Sequence, residues 1–178
     1  MAPESSDEAC VETGLSHIAL SVRNVDDSAA FYARFAGMRE VHRRGSKGKQ
    51  VVWLSDLRRP FVLVLIEVDA VAGRLEGIAH LGVSCESREE INRLCELAHS
   101  EDRLAVGATD AGPPVGYWAL LRDPDGHNLE LSHGQEVGAA VAEARRKLAH
   151  ARRKPARAST AKTTGRRRSP SAAPPWGA

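Results

Sequence analysis

The chain has 178 residues, enough for one ordinary domain of roughly 100–150 residues with additional terminal segments. Its longest apolar run, Phe61–Ile66, is too short to cross a bilayer, and its acidic N-terminus lacks the features of a signal peptide, so we expect a cytoplasmic protein without membrane contact. The net charge of +2 is the sum of two oppositely charged parts of the chain. Residues 144–178 hold eleven lysines and arginines and no acidic residue, whereas the preceding part is acidic.

Residues 13–70 predict a first module with the order βαβββ. Leu15–Val22 has the apolar pattern of a strand, and the capping residues Asn24–Asp27 then introduce apolar side chains at helical spacing. Gly37 ends this helix. The remaining predicted strands of the module are Met38–Arg43, Gln50–Ser55 and Phe61–Val68.

Residues 77–135 repeat the same order. The predicted elements are a strand at Ile78–Cys85, a helix at Arg88–Ser100, and strands near Leu104–Thr109, Tyr117–Arg122 and Asn128–Ser132. The turn Asp123–Gly126 leads into the last strand and is predicted to set its register. His127 and His133 lack counterparts in the first module and are predicted to lie at the surface or beside the site.

The two ends of the chain lie outside this repeat. Residues 1–12 are predicted to be disordered, residues 136–154 to form a basic helix, and residues 155–178 to form a disordered basic tail, because they contain too few core-forming side chains. Basic triplets in these segments are candidates for contact with nucleic-acid phosphates. A solvated extension, or a cover for the acidic body, explains them equally well.

A histidine and a glutamate recur at matched positions in the two modules. His17 and His80 stand in the similar segments GLSHIALSV and GIAHLGVSC, and Glu67 and Glu130 each follow their histidine by 50 residues. A carboxylate on an apolar strand is costly unless it is paired or binds a cation. Imidazole and carboxylate groups together suit Zn, Ni, Co, Mn or Fe(II). The repeat therefore predicts a pseudosymmetric metal site formed by His17, Glu67, His80 and Glu130.

Several motifs resemble one known group of proteins. The tandem βαβββ modules, SHIALSV, FYARFAGM and LLRDPDGHNLEL are together similar to the vicinal oxygen chelate superfamily. This superfamily includes glyoxalase I, methylmalonyl-CoA epimerase, type I extradiol dioxygenases, fosfomycin-resistance proteins and bleomycin-binding proteins. The resemblance covers residues 13–135. It implies an α+β, glyoxalase-like fold, in which tandem βαβββ modules form a curved, partly open mixed sheet around a metal, often in a homodimer.

The resemblance to glyoxalase I implies an activity as well as a fold. In that enzyme type, four ligands in the order His/Glu/His/Glu hold a divalent metal, which acts as a Lewis acid on vicinal oxygens of a small-molecule substrate. The implied chemistry is that of a lyase or isomerase, in which an enediolate forms while a carboxylate moves the proton. Glu67 or Glu130 would be this catalytic base. Ser21 stands where bacterial glyoxalase I has an arginine that helps to bind glutathione, so the resemblance does not imply glutathione as a substrate.

Two alternatives to this activity stay open. His17, His80 and Glu130 would also supply the facial triad of an Fe(II) extradiol ring-cleaving dioxygenase, although Leu120 stands where that group has a tyrosine. The other alternative is a protein that binds an antibiotic or metabolite without chemistry, as bleomycin resistance proteins do. Bleomycin-binding members lack the ligand set, so the presence of all four residues argues against this alternative.

Overall fold

The structure is a computed structural model, and it describes residues 14–153. The predictions made for residues 1–12 and 155–178 lie outside this part. Within it, no helix combines the length and the apolar character that crossing a membrane requires.

The first module contains one helix and four strands. These are β1 (His17–Val22), α1 (Val25–Ala36), β2 (Arg39–Arg44), β3 (Val51–Ser55) and β4 (Val62–Glu67). The Asn24 side chain caps α1 by accepting hydrogen bonds from the backbone N–H groups of Asp26 and Asp27. Gly37 ends the helix in the left-handed conformation, with φ of 63°.

The second module repeats this order. It consists of β5 (Leu81–Ser84), α2 (Arg88–Ser100), β6 (Leu104–Asp110), β7 (Tyr117–Arg122) and β8 (Asn128–His133). A last helix, α3 (Val137–Arg153), follows. The chain divides near Val137 into two compact units, so nearly all of α3 belongs to the second unit and both modules belong to the first.

Each module forms its own four-stranded mixed sheet. The strand order is β1-β4-β3-β2 in the first sheet, which we call sheet A, and β5-β8-β7-β6 in the second, which we call sheet B. In both sheets the first strand is parallel to the last, and the other neighbouring strands are antiparallel. The predicted α+β fold of tandem βαβββ modules is therefore confirmed.

One face of each sheet is packed against the helix of its own module. In sheet A, Leu20, Val22, Leu63 and Leu65 are buried on the helix face, where α1 packs on β3 and β4. The corresponding residues of sheet B include Leu129 and Leu131, and all of these side chains belong to one core cluster. We call the other side of each sheet its open face. Since successive strand residues alternate between faces, the register decides which candidate ligands can meet.

Candidate metal centre

His80 and Glu130 lie together on the open face of sheet B. In the parallel pairing of β5 with β8, Glu130 is opposite Gly82, two residues after His80. The absence of a side chain at Gly82 leaves room, and the Nε2 atom of His80 is 3.4 Å from the Oε2 atom of Glu130. The Glu130 residue is only 8% exposed. The predicted His/Glu pair of the second module is therefore formed within the chain.

Hydrogen bonding fixes which nitrogen of His80 faces the glutamate. The Nδ1 atom is 2.8 Å from the carbonyl oxygen of Ile78, and a carbonyl only accepts, so Nδ1 carries the proton. When its Nε2 atom carries no proton, His80 presents a lone pair toward an oxygen of Glu130. Two lone-pair atoms at this separation repel each other unless a proton or cation lies between them. This donor set fits a borderline divalent ion.

Gln135 holds the other oxygen of the glutamate. Its Nε2 atom donates to the Oε1 atom of Glu130 over 2.8 Å, which leaves Oε2 directed toward His80. Gln135 lies between β8 and α3, just after Gly134, whose φ of 78° turns the chain back toward the sheet. The sequence analysis missed this residue, because it belongs to no repeat and its contact depends on that turn.

His17 lies at the exposed start of β1, on the open face of sheet A. Its Nδ1 atom is 2.9 Å from the Ser16 hydroxyl oxygen. In the parallel register His17 is opposite Val62, so its neighbours on this face include Val64. His17 therefore lies on the face of sheet A that is opposite to α1.

Glu67 lies at the opposite end and on the opposite face of the same sheet. It is paired with Val22, which is fully buried against the helix, and it accepts a hydrogen bond of 3.0 Å from the backbone N–H of Gln50. His17 is five residues before Val22, a distance of about 16 Å along a strand. The predicted pairing of His17 with Glu67 within the first module is therefore not found.

The register explains this difference between the modules. Glu130 pairs with Gly82, the residue two positions after His80. In the first module the residue two positions after His17 is Ala19, and Ala19 pairs with Val64. The equal spacing of 50 residues thus compares two different strand positions. Among residues 14–153, no group of three or more His, Cys, Asp or Glu side chains is arranged to hold a metal ion.

A buried aspartate organises the turn that leads into β8. Asp123 Oδ1 accepts hydrogen bonds from the backbone N–H groups of Asp125 and His127, over 2.9 and 2.8 Å, and its Oδ2 accepts from the Tyr32 hydroxyl over 3.1 Å. Burial raises the pKa of Tyr32, and the neighbouring carboxylates raise it further, so this phenol stays a neutral donor. The turn ties α1 of the first module to the strand that carries Glu130.

His127 is part of the same connection and is not a surface residue, contrary to one of the two predicted placements. It is 1% exposed, its Nδ1 atom accepts a hydrogen bond from the backbone N–H of Leu75, and its Nε2 atom donates to the Ser21 carbonyl oxygen over 2.9 Å. His133 is half-buried, with Nδ1 3.1 Å from the Cys85 carbonyl oxygen. His127 binds backbone groups through both ring nitrogens and His133 through Nδ1, so both histidines support the neighbouring strands.

The model of the Glyoxalase/Bleomycin resistance protein/Dioxygenase superfamily matches residues 14–131. The chain belongs to this superfamily. The match spans both modules and ends just after Glu130, so the resemblance noted from the motifs is confirmed. Another similar protein is the uncharacterized protein PA2024 of Pseudomonas aeruginosa, which is 36% identical over 131 residues, a stretch that covers 70% of this chain and 91% of that protein.

Solved structures agree with this membership of the superfamily. A glyoxylase/bleomycin resistance protein/dioxygenase domain from Frankia sp. EAN1pec has a TM-score of 0.55 and 26% identity, covering 70% of this chain and 99% of that domain. A mutant fosfomycin resistance protein from Listeria monocytogenes, complexed with Mn(II) and 1S,2S-dihydroxypropylphosphonic acid, has a TM-score of 0.54 and 22% identity over 73% of this chain and 98% of its own. The latter similarity establishes a shared fold alone.

Proposed function

We propose that this superfamily member is a divalent-metal-dependent enzyme of glyoxalase type, an isomerase or lyase acting on a small substrate with vicinal oxygens. The observation that carries the proposal is the His80–Glu130 pair, in which the imidazole Nε2 atom lies 3.4 Å from an oxygen of a buried carboxylate. We propose His17, His80 and Glu130 as ligands and Zn, Ni, Co, Mn or Fe(II) as the metal. The Mn(II) in the fosfomycin resistance protein of the same fold supports this choice of ion.

Each proposed residue has a separate role. The ion, when bound, would act as a Lewis acid on adjacent substrate oxygens. Glu130 is the proposed proton acceptor at Oε2, and Gln135 keeps that atom in place by donating to Oε1. Glu67, the other candidate base, is left out because its carboxylate accepts from the Gln50 backbone and lies on the helix face of its sheet.

A second copy of the chain would complete this site. His17 belongs to sheet A and the His80–Glu130 pair to sheet B, and no three-residue ligand cluster occurs within the described part of one chain. The open face of sheet A also exposes the large apolar side chains of Trp53 and Ile66. Exposed apolar patches of this kind mark interaction surfaces. We therefore propose a homodimer in which sheet A of one copy faces sheet B of the other.

Complementation between two inactive variants tests the shared site. His17→Ala and Glu130→Ala homodimers should both lack activity, whereas an equal mixture, after subunit exchange, should recover about one quarter of the wild-type sites, because about half of the dimers are mixed and each has one intact site. Activity and bound metal would be measured before and after exchange. A mixture of His80→Ala with Glu130→Ala is the matched control and should stay inactive. Recovery in neither mixture would contradict the shared site.

The three-residue ligand set also favours a second candidate function. Two histidines and one carboxylate form the facial triad of non-haem Fe(II) oxygenases, so a ring-cleaving dioxygenase fits the same residues. Metal analysis followed by two assays separates the candidates. Isomerisation of a thiol hemiacetal without oxygen uptake is the expected result. Oxygen uptake with a catechol would instead establish the dioxygenase, and purified protein that contains no stoichiometric metal would establish a binding protein.

A further inference from the structure

A cavity of about 380 Å³ lies on the open face of sheet B. Leu120 and Arg122 of β7 and Asn128 of β8 line it, and Arg74 and Glu76 contribute from the loop before β5. Arg74 and Arg122 are both exposed, and they bring two like charges to the same cavity.

The lining also holds two acidic residues, Asp125 and Glu76, and the first of them is already paired. Asp125 is occupied by Arg23, whose Nε atom is 2.6 Å from its Oδ1 and whose backbone N–H donates to its Oδ2 over 3.0 Å. Glu76 is the other acidic residue, and it lies exposed at the rim. Within residues 14–150, Arg74 and Arg122 take part in no ion pair and no side-chain hydrogen bond, unlike Arg23, Arg88, Arg93 and Arg103. Because Asp125 is paired with Arg23, the two lining arginines outnumber the one remaining carboxylate, Glu76, and this excess of positive charge favours an anion in the cavity.

The cavity also adjoins the His80–Glu130 pair. In the register of β7 with β8, Leu120 is opposite Glu130 and Arg122 is opposite Asn128, so these residues share the open face. Arg122 is thus one step of two residues from the level of Glu130, a distance of about 7 Å along the strands. The Asn128 side chain donates to the carbonyl oxygens of Gly77 and Ala79, which fixes the loop that separates the cavity from His80.

We infer that this cavity, the arginine pocket of Arg74 and Arg122, binds an anionic group of the substrate. The inference rests on the proposed function and narrows its substrate class. The substrate would carry vicinal oxygens that reach the His80–Glu130 pair and a phosphate, phosphonate or carboxylate that reaches Arg74 and Arg122. Arg122 and Arg74 are then specificity-determining residues, since an uncharged analogue would leave both guanidinium groups without a partner.

Binding of matched small probes tests the arginine pocket. The full-length, Mn(II)-loaded protein would be titrated calorimetrically with glycerol, glycerate and glycerol 3-phosphate, which share vicinal oxygens and differ in charge. We expect the two anions to bind on the order of tenfold or more tighter than glycerol, because charge-assisted hydrogen bonds are the strong ones. The stronger of the two anions identifies a phosphate-like or a carboxylate group.

Variants locate this binding within the molecule. Arg122→Gln and Arg74→Gln should each weaken binding of the preferred anion by roughly tenfold and leave glycerol and Mn(II) binding unchanged. Arg39→Gln is the matched control, since Arg39 is an exposed strand arginine outside the cavity. Equal binding of glycerol, or an equal loss in the control, would overturn the inference.

Failure of the proposed function is recognised separately. If Mn(II) does not bind the wild-type protein, the metal centre is wrong, and the metal-free protein is then titrated with inorganic phosphate. Phosphate binding that Arg122→Gln abolishes would still support the arginine pocket, whereas its absence would overturn the pocket as well.

Discussion

Glu130→Gln should lower Mn(II) affinity on the order of 100-fold or more, and kcat/KM by roughly 1,000-fold. An amide is a neutral and much weaker ligand than a carboxylate, and it cannot accept the substrate proton. Gln135 donates to this side chain over 2.8 Å, so the substituted amide would keep its carbonyl oxygen toward Gln135 and turn its NH₂ group toward His80. Chelator competition and metal analysis of the purified variant measure the loss.

Glu67→Gln provides the matched control, because it makes the same chemical change in the last strand of the other module. The amide can still accept from the Gln50 backbone N–H, so we expect metal content, and kcat/KM to within about twofold, to be unchanged. If Glu67→Gln lost its metal as completely as Glu130→Gln, the four-ligand site inferred from the sequence would stand and our assignment of faces would be wrong.

Local sequence patterns were sufficient to predict most of the fold. The predicted bounds of Arg88–Ser100 and Tyr117–Arg122 agree with α2 and β7, because apolar periodicity and capping are encoded within each segment. The start of β5 was predicted too early, at Ile78. The Asn128 side chain donates hydrogen bonds to the carbonyl oxygens of Gly77 and Ala79, so a side chain rather than a neighbouring strand binds these backbone groups.

The site was harder to predict, because register is not a property of one segment. Counting along the chain matched His80 with Glu130, whose side chains lie 3.4 Å apart, and also matched His17 with Glu67, whose strand positions differ. A signal was nevertheless present. The same-face neighbours of Glu67 are leucines, which the core requires, whereas those of Glu130 are Asn128 and Ser132. Polar neighbours on one strand face thus identify the open side of a sheet.

The sequence also understates how the two modules depend on each other. Asp123, Asp125 and His127 hold side chains or backbone groups of the first module, although they are encoded beside Glu130 in the second. These bonds join residues about a hundred positions apart, so no local pattern could reveal them. These bonds position β8, and with it the Glu130 carboxylate, through contacts with the first module.

Asp123→Ala should therefore lower the free energy of unfolding by about 3–5 kcal/mol, the largest effect on stability that we expect of a residue outside the core. The carboxylate is 3% exposed and accepts from Asp125, His127 and Tyr32, and its loss leaves these donors buried without an acceptor. Urea denaturation followed by circular dichroism gives the change. The folded fraction should also bind Mn(II) more weakly, because the register of β8 positions Glu130.

Asp56→Ala is the matched control for this prediction. Asp56 also orders a turn, accepting from the backbone N–H of Arg58 over 2.9 Å and pairing with Arg59, but its partners are exposed. Water can replace a lost acceptor there, so the expected cost is about 1 kcal/mol or less. A similar cost for both substitutions would mean that the Asp123 turn is not a buried connection between the modules. The contacts between the modules that position Glu130 would then lie in the hydrophobic core cluster alone.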